Sequence, residues 1–265
     1  MELAVRNVSV GMAGRPPLQS GVSFSVRSGE VCCVLGPNGC GKSTLVKTIL
    51  GVRPPLAGSI TVDGSDVSSW SASQVSEKIA YVAQTQRQSF PFEVEDVVML
   101  GRVARTSSFS GKPSLADRRI AEDAMREMGI YHLRKRPYVD VSGGELQMVM
   151  FARALAQKPG LMILDEPPAA LDYGNAMRVV GKVREIAAAG YAVVMVTHNP
   201  DHAFMTRSNV VLFRKGKPML FGPAEAVITR ENIRDAYGIN VKLVEFGRAG
   251  GQSMRLCAPE FGGRP

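Results

Sequence analysis

What this 265-residue chain lacks narrows its function before any motif is considered. It has four cysteines, Cys32, Cys33, Cys40 and Cys257, spaced neither as a metal site nor as a disulfide framework. Cys32 and Cys33 fall in an apolar run and are expected to be reduced core residues. No stretch approaches the ~20 apolar residues that span a bilayer. The opening MELAVRNVSV has no basic start followed by an apolar block, so it does not read as a secretory signal, and the expected location is the cytoplasm. There is no internal repeat, low-complexity tract, collagen-like period or sustained heptad pattern. Disorder is also excluded: 45% of residues are hydrophobic and 21% charged, close to ordinary globular usage.

What is present is a net charge of +8, from 32 basic and 24 acidic residues. Taken alone, that suits nucleic acid, a membrane surface or a phosphate-bearing ligand. The charge is uneven. Residues 101–137 hold nine basic side chains, Arg102, Arg105, Lys112, Arg118, Arg119, Arg126, Arg134, Lys135 and Arg136, against Asp117, Glu122, Asp123 and Glu127.

The hydrophobic pattern predicts an α/β fold. LAVRNVSV and VSFSV read as short N-terminal strands around a Gly/Pro turn at residues 14–17. VCCVL (31–35), LMILD (161–165) and YAVVMV (191–196) are continuous apolar runs of strand length, the mark of a parallel sheet buried on both faces. Helical periodicity follows from Lys42 to about Leu50 and again from about Asn175 to Ala189. From about Glu93 to Arg136 there is no strand pattern, and helical spacing in VEDVVMLGR and ADRRIAEDAMREMGI predicts a mostly helical subdomain inserted into the core. Past Val210 the pattern gives a strand (NVVLFRKG), a turn, a helix (AEAVITRENIRDAYG) and a final strand pair, with a frayed GGRP end.

GPNGCGKS, Gly36 to Ser43, matches G-x-x-x-x-G-K-[ST] between a buried strand and a helix. Gly36, Pro37, Asn38, Gly39, Cys40 and Gly41 form the loop. Its glycines let backbone N–H groups wrap an anion at a helix N-terminus. Lys42 is placed to reach the β- and γ-phosphates, Ser43 offers a hydroxyl to Mg²⁺, and Thr44 adds a contact near the α-phosphate. The strand LMILDE ends in Asp165, which fits an Mg²⁺ holder, and Glu166, which fits a group polarising the attacking water.

Together with VSGGE (141–145), these segments resemble ATP-binding-cassette (ABC) proteins. Gln84 in YVAQT resembles the Q-loop glutamine, Ala170–Leu171–Asp172 the D-loop, and His198 in VMVTHN the switch histidine. The resemblance implies an ABC-type P-loop NTPase domain with N-terminal antiparallel strands, an inserted helical subdomain and a short C-terminal tail. Residues 1–240 would form the ATPase domain (core 1–86 and 155–220, helical subdomain 87–154) and residues 241–265 a short extension. It implies ATP and Mg²⁺ as ligands, with Ser43, Gln84 and Asp165 around the metal. Glu166 would act as the base or water-orienting group, with His198 at the γ-phosphate. Ser142, Gly143, Gly144 and Glu145 would cover the γ-phosphate of a partner copy, and Asp172 would contact that copy. A head-to-tail homodimer, a separate transmembrane permease, a substrate-binding protein reached indirectly, and a place on the inner face of the cell membrane follow in the same way.

FPFEVEDVVMLGR and the tail YGINV resemble importer ATPases for iron–siderophore, haem and cobalamin, while LDYGNA and THNPDHAF also resemble iron-complex or molybdate and tungstate members. An exporter subunit, a nucleic-acid or ribosome-associated ABC ATPase and a small-molecule kinase are the alternatives. A kinase would not need SGGE, and nucleic-acid members usually carry two cassettes or a long coiled coil. No nucleic-acid partner is expected. The basic segment, Arg102 and Arg105 included, is expected to face the permease beneath an anionic leaflet. Three departures from the family pattern stand out. Met12 occupies the place of the usual adenine-stacking ring, implying weak base discrimination. Pro168 replaces the more usual Ser or Thr, without a physical account. Cys40, a small residue inside the loop, is expected to be structural; the alternative is that the helix N-terminus lowers its thiol pKa, so that oxidation would block ATP.

Overall fold

The computed structural model describes residues 1–84, 92–105, 113–169, 171–247 and 253–260. Ala170 and Lys112, and the C-terminal GGRP, lie outside them. Along the chain, β1 (Glu2–Val10) and β2 (Gln19–Arg27) form the N-terminal antiparallel pair. β3 (Val31–Leu35) then leads through the glycine-rich loop into α1 (Lys42–Ile49). β4 (Ala57–Val62) and β5 (Ser65–Asp66) extend the antiparallel sheet to the order β2-β1-β4-β5. α2 (Ala72–Lys78) runs directly into β6 (Ile79–Val82). The helical region holds α3 (Val94–Met99), a 3₁₀ segment Leu100–Arg105, α4 (Leu115–Glu127) and α5 (Gly143–Ala156). β7 (Leu161–Asp165), α6 (Tyr173–Ala188), β8 (Ala192–Val196), α7 (Asp201–Thr206) and β9 (Asn209–Arg214) complete the alternating core. The chain closes with β10 (Lys217–Pro223), α8 (Ala224–Val227), α9 (Arg230–Tyr237) and the hairpin β11 (Val241–Gly247)–β12 (Ser253–Pro259).

The central sheet has the order β10-β9-β3-β8-β7-β6, with β9, β3, β8, β7 and β6 parallel and β10 antiparallel at its edge. Alternate side chains explain the unbroken apolar runs. Cys32, Val34, Ile163 and Val194 pack toward the antiparallel sheet and α1, among Leu3, Val5, Leu45 and Ile49. Cys33, Leu35, Met162, Leu164 and Met195 pack on the opposite face, against Val149, Phe151, Val183 and Ile186. Both faces of each strand are therefore desolvated, so a polar residue at any of these positions would be buried without a partner. The parallel strands all deliver their C-terminal ends to one edge of the sheet, where α/β proteins place ligand chemistry.

The tail differs from its sequence pattern. NVVLFRKG does not run through a turn into one long helix. It forms a hairpin with β10, and the following helix is split into α8 and α9 by Ile228 and Thr229, the latter capping α9 through Asn232 N–H at 3.2 Å. Strand β10 was masked in the sequence by Pro218, Gly222 and Pro223, which suit an edge position but read as a loop.

Candidate nucleotide site

The phosphate loop leaves β3 at Gly36, where φ is +147°. A Cβ there would stand 2.8 Å from Cys40 Sγ and 2.9 Å from the Phe213 carbonyl, so only glycine fits. Lys42 folds back over the loop: its Nζ donates to the carbonyls of Gly36 (2.7 Å) and Pro37 (3.0 Å). An ammonium has three donors, so one remains for a phosphate oxygen. Gly41, left-handed at φ 106°, precedes α1 and supplies no side-chain cap, and the first turn carries no acid. The leading amides of α1 thus keep their partial positive charge for a ligand. Asn38, Gly39 and Ser43 are exposed, Pro37 and Thr44 partly so, while Cys40 and Lys42 are buried.

The two carboxylates stand together at the C-terminal end of β7. Asp165 ends β7, and its Oδ2 accepts Tyr81 Oη from β6 at 3.1 Å. Burial pushes the Asp165 carboxyl up, the Tyr81 bond opposes this, and the Glu166 charge adds to it. The Tyr81 phenol is pushed up to about 12, mainly by burial and then by Asp165. Glu166 adopts a left-handed backbone, φ 49°, held by its N–H on the Val196 carbonyl at 3.0 Å. A non-glycine residue there costs roughly 1–2 kcal/mol, and the bond to β8 fixes it in place. Its Oε2 accepts Gln84 Nε2 at 3.4 Å, and its Oε1 lies 3.6 Å from His198 Nδ1. Gln84, Glu166 and His198, far apart in sequence, therefore meet at one carboxylate.

Ser43, Asp165 and Gln84 each carry an oxygen donor, hydroxyl, carboxylate and amide, of the kind that suits a hard divalent cation. Among the described residues no group of three His, Cys, Asp or Glu could cage a metal.

A second helix end is built differently. Ser142 caps α5: its hydroxyl accepts the Glu145 N–H at 3.3 Å, and the Glu145 carboxylate accepts the Ser142 N–H at 2.7 Å. That N–H holds the Glu145 carboxyl below the usual range. Gly144 packs against α6, where a Cβ would meet the Asn175 side chain at 2.6 Å, and Gly143 faces Leu171. Asp172 caps α6, accepting Asn175 N–H at 2.9 Å and Asn175 Nδ2 at 2.6 Å. Within one chain, then, Asp172 has a capping role.

One sequence expectation is corrected. Arg102 cannot belong to an exposed docking face, whereas Arg105 stays exposed while bonded to backbone carbonyls. Arg102 is buried, donating to Asp117 Oδ1 at 2.9 Å and to the Ala156 carbonyl at 2.7 Å. Arg105 donates to the carbonyls of Gln157 (2.8 Å), Lys158 (3.0 Å) and Glu77 (2.7 Å). These guanidiniums satisfy the orphan carbonyls at the C-terminal end of α5, where positive charge also complements the helix dipole. Other basic residues of the segment are paired too: Lys135 with Glu93 and Glu95, Arg126 with Glu122 and Asp123. For Cys40 the structure favours the structural reading over oxidation. Burial raises its thiol pKa more than the nearby Lys42 charge lowers it, so the thiol is neither acidic nor exposed. Met12, by contrast, is 52% exposed. Sequence reading missed Tyr81 and Tyr237, the latter accepting the Gly36 N–H at 2.9 Å. A lone tyrosine has no spacing signature that could have revealed either contact.

Comparison with known proteins gives the same reading. The family profile of ABC transporters matches residues 19–169. An uncharacterised ABC transporter ATP-binding protein of Haemophilus influenzae is 37% identical over 92% of this chain and 92% of its own. A hemin import ATP-binding protein of Thermobifida fusca is 36% identical over 94% of this chain and 86% of its own. Among solved structures, a metal-chelate-type ABC transporter in an inward-facing conformation superposes with a TM-score of 0.85 at 28% identity, over 98% of this chain and 97% of that one. The chain belongs to the ABC transporter family, as an ATPase subunit.

Proposed function

We propose that this chain drives uptake of a metal chelate of the haem or cobalamin type, two copies closing head to tail on two ATP beneath a separate permease. The observation that carries the catalytic part is the convergence of Gln84 and His198 on Glu166, beside Asp165 and the phosphate loop. The import reading is supported by the hemin import relative and by a cobalamin import ATP-binding protein of Halobacterium salinarum, 36% identical over 92% of this chain and 60% of its own. No helix of the described residues is long and apolar enough to cross a membrane, so the pathway belongs to a partner. We read residues 87–154 as the subdomain that meets it and residues 241–265 as an extension.

In this reading Lys42 and the α1 amides hold the β- and γ-phosphates, and Ser43, Asp165 and Gln84 would hold Mg²⁺, which would supply charge neutralisation at the phosphates. Glu166 orients and deprotonates the attacking water, and His198 lies across from it to contact the γ-phosphate. Ser142, Gly143, Gly144 and Glu145 of each copy close on the nucleotide of the other, with Asp172 at the same seam. ATP binding favours the closed pair, and loss of phosphate reopens it.

Glu166→Gln tests the central assignment. It keeps the shape and removes the base, so turnover should fall by ~10²–10⁴ while an ATP-bound dimer accumulates on gel filtration. Rapid hydrolysis by the variant would refute the role. Reconstitution with the permease and haem or cobalamin in the assay tests the substrate: neither compound raising ATP turnover would count against it.

A further inference from the structure

The C-terminal part of the chain reaches the phosphate loop. α9 ends at Tyr237, where Gly238 turns left-handed (φ 73°) and closes the helix on the Arg234 carbonyl at 2.8 Å. At that point Tyr237 Oη accepts the Gly36 N–H at 2.9 Å. The other polar atom of the same residue, the Gly36 carbonyl, accepts Lys42 Nζ at 2.7 Å. Gly36 is therefore held from both sides, by a tail phenol on its N–H and by the phosphate-binding lysine on its oxygen. No side chain on Gly36 could take over the first contact, because Cys40 and Phe213 already fill the space a Cβ would need.

The phenol is itself fixed. Asp235, two residues earlier on α9, accepts Lys217 Nζ at 2.7 Å and Arg214 Nη1 at 3.4 Å from the β9–β10 hairpin. Beyond the helix, the Cys257 N–H of β12 donates to Asp201 Oδ1 at 2.7 Å. Asp201 opens α7, three residues after His198. Arg230 and Glu260, 3.4 Å apart, tie the two ends of this segment together. The tail thus grips both the loop under the phosphates and the helix that follows the histidine facing Glu166. Burial pushes the Tyr237 phenol up, so it stays protonated across the working pH range.

We infer that Tyr237 is a positioning residue for nucleotide binding: its hydroxyl fixes the Leu35–Gly36 peptide, and through the Gly36 backbone it orients the next peptide, whose carbonyl holds the Lys42 ammonium. The inference rests on Gly36–Ser43 being the nucleotide loop. An empty loop can relax and turn the Gly36 N–H to water. A loop closed around ATP is held in one shape, so loss of the acceptor is felt mainly in the bound state. The contact is present both in the bound substrate and in the transition state, so it acts on KM and leaves kcat alone.

Tyr237→Phe in the full chain tests this, since it keeps the ring and removes the one oxygen. With Mg-ATP as the probe, affinity should weaken about 5-fold, the worth of one neutral hydrogen bond. KM should rise by the same factor, with kcat within about 2-fold of the parent. A purely structural role would instead lower the melting temperature and leave KM unchanged. Unchanged ATP affinity in the variant, or a fall in kcat at constant KM, overturns the inference. Failure of the parent chain to bind ATP overturns the loop reading itself, which separates the two failures.

Discussion

α1 and α5 both begin at glycine-rich turns, yet their N-terminal ends are finished in opposite ways. α1 follows a left-handed Gly41, with no side-chain cap and no acid in its first turn. α5 is closed by its own residues, through the reciprocal bonds of Ser142 and Glu145. An uncapped end leaves orphan amides whose best partner is an external anion; a capped end has spent two of its donors before any ligand arrives. The difference suits a division of labour in which the first end binds phosphate alone and the second waits for a nucleotide carried by another copy.

The strongest way to break the contrast is at the open end. Lys42→Ala removes the charge that the bare α1 end relies on, and ATP affinity should drop by roughly 10–100-fold, the range for hydrogen bonds to charged groups. Equilibrium binding checks this, and near-parental affinity would show that the amides suffice. A smaller effect is expected at the closed end. Ser142→Ala should cost about 1 kcal/mol of stability in the ligand-free chain, by thermal or denaturant unfolding, because a real cap is lost. An unchanged midpoint would mean the cap is idle. The smallest effect separates the two ends by pH. The Glu145 carboxyl is held below its ordinary value by the Ser142 N–H, so its bond persists above the unfolded-state pKa and is lost as pH falls through the folded one. As pH falls below the ordinary glutamate range the Ser142 amide should lose hydrogen-exchange protection, while the first turn of α1, which has no carboxylate, should show no matching acid step. Equal acid responses at both ends would erase the distinction.

The open end was legible in the sequence, because its chemistry is written in backbone freedom and therefore in glycines at fixed spacing. β3, β7 and β8 were legible for a related reason, since burial on both faces leaves nothing but apolar residues. The meeting of Gln84, Glu166 and His198 was readable only as a family pattern, since strand order rather than spacing brings them together. The fate of Arg102 and Arg105 was not readable at all. An arginine that caps a distant helix and one that faces solvent look alike in a sequence, and counting charge over residues 101–137 could not tell the buried Arg102 from the exposed Arg118 and Arg119. Tyr237 shows the same limit, because its partner is a backbone amide some two hundred residues away.

The Arg105 and Gln157 contacts have a mechanical consequence. Arg105 binds the Glu77 carbonyl as well as the end of α5, and Gln157 Nε2 donates to the carbonyls of Ser76 and Ile79. The rear of α5 is thus riveted to the α2–β6 corner of the core, while Ser142 stands at its opposite tip. A rod of 14 residues is about 21 Å long at about 1.5 Å per residue, so a tilt of about 10° at the rivet swings the tip by nearly 4 Å. The Ser142 turn rides at the end of a lever whose fulcrum is made of arginine and glutamine, and sub-ångström adjustments at that fulcrum arrive at the tip magnified.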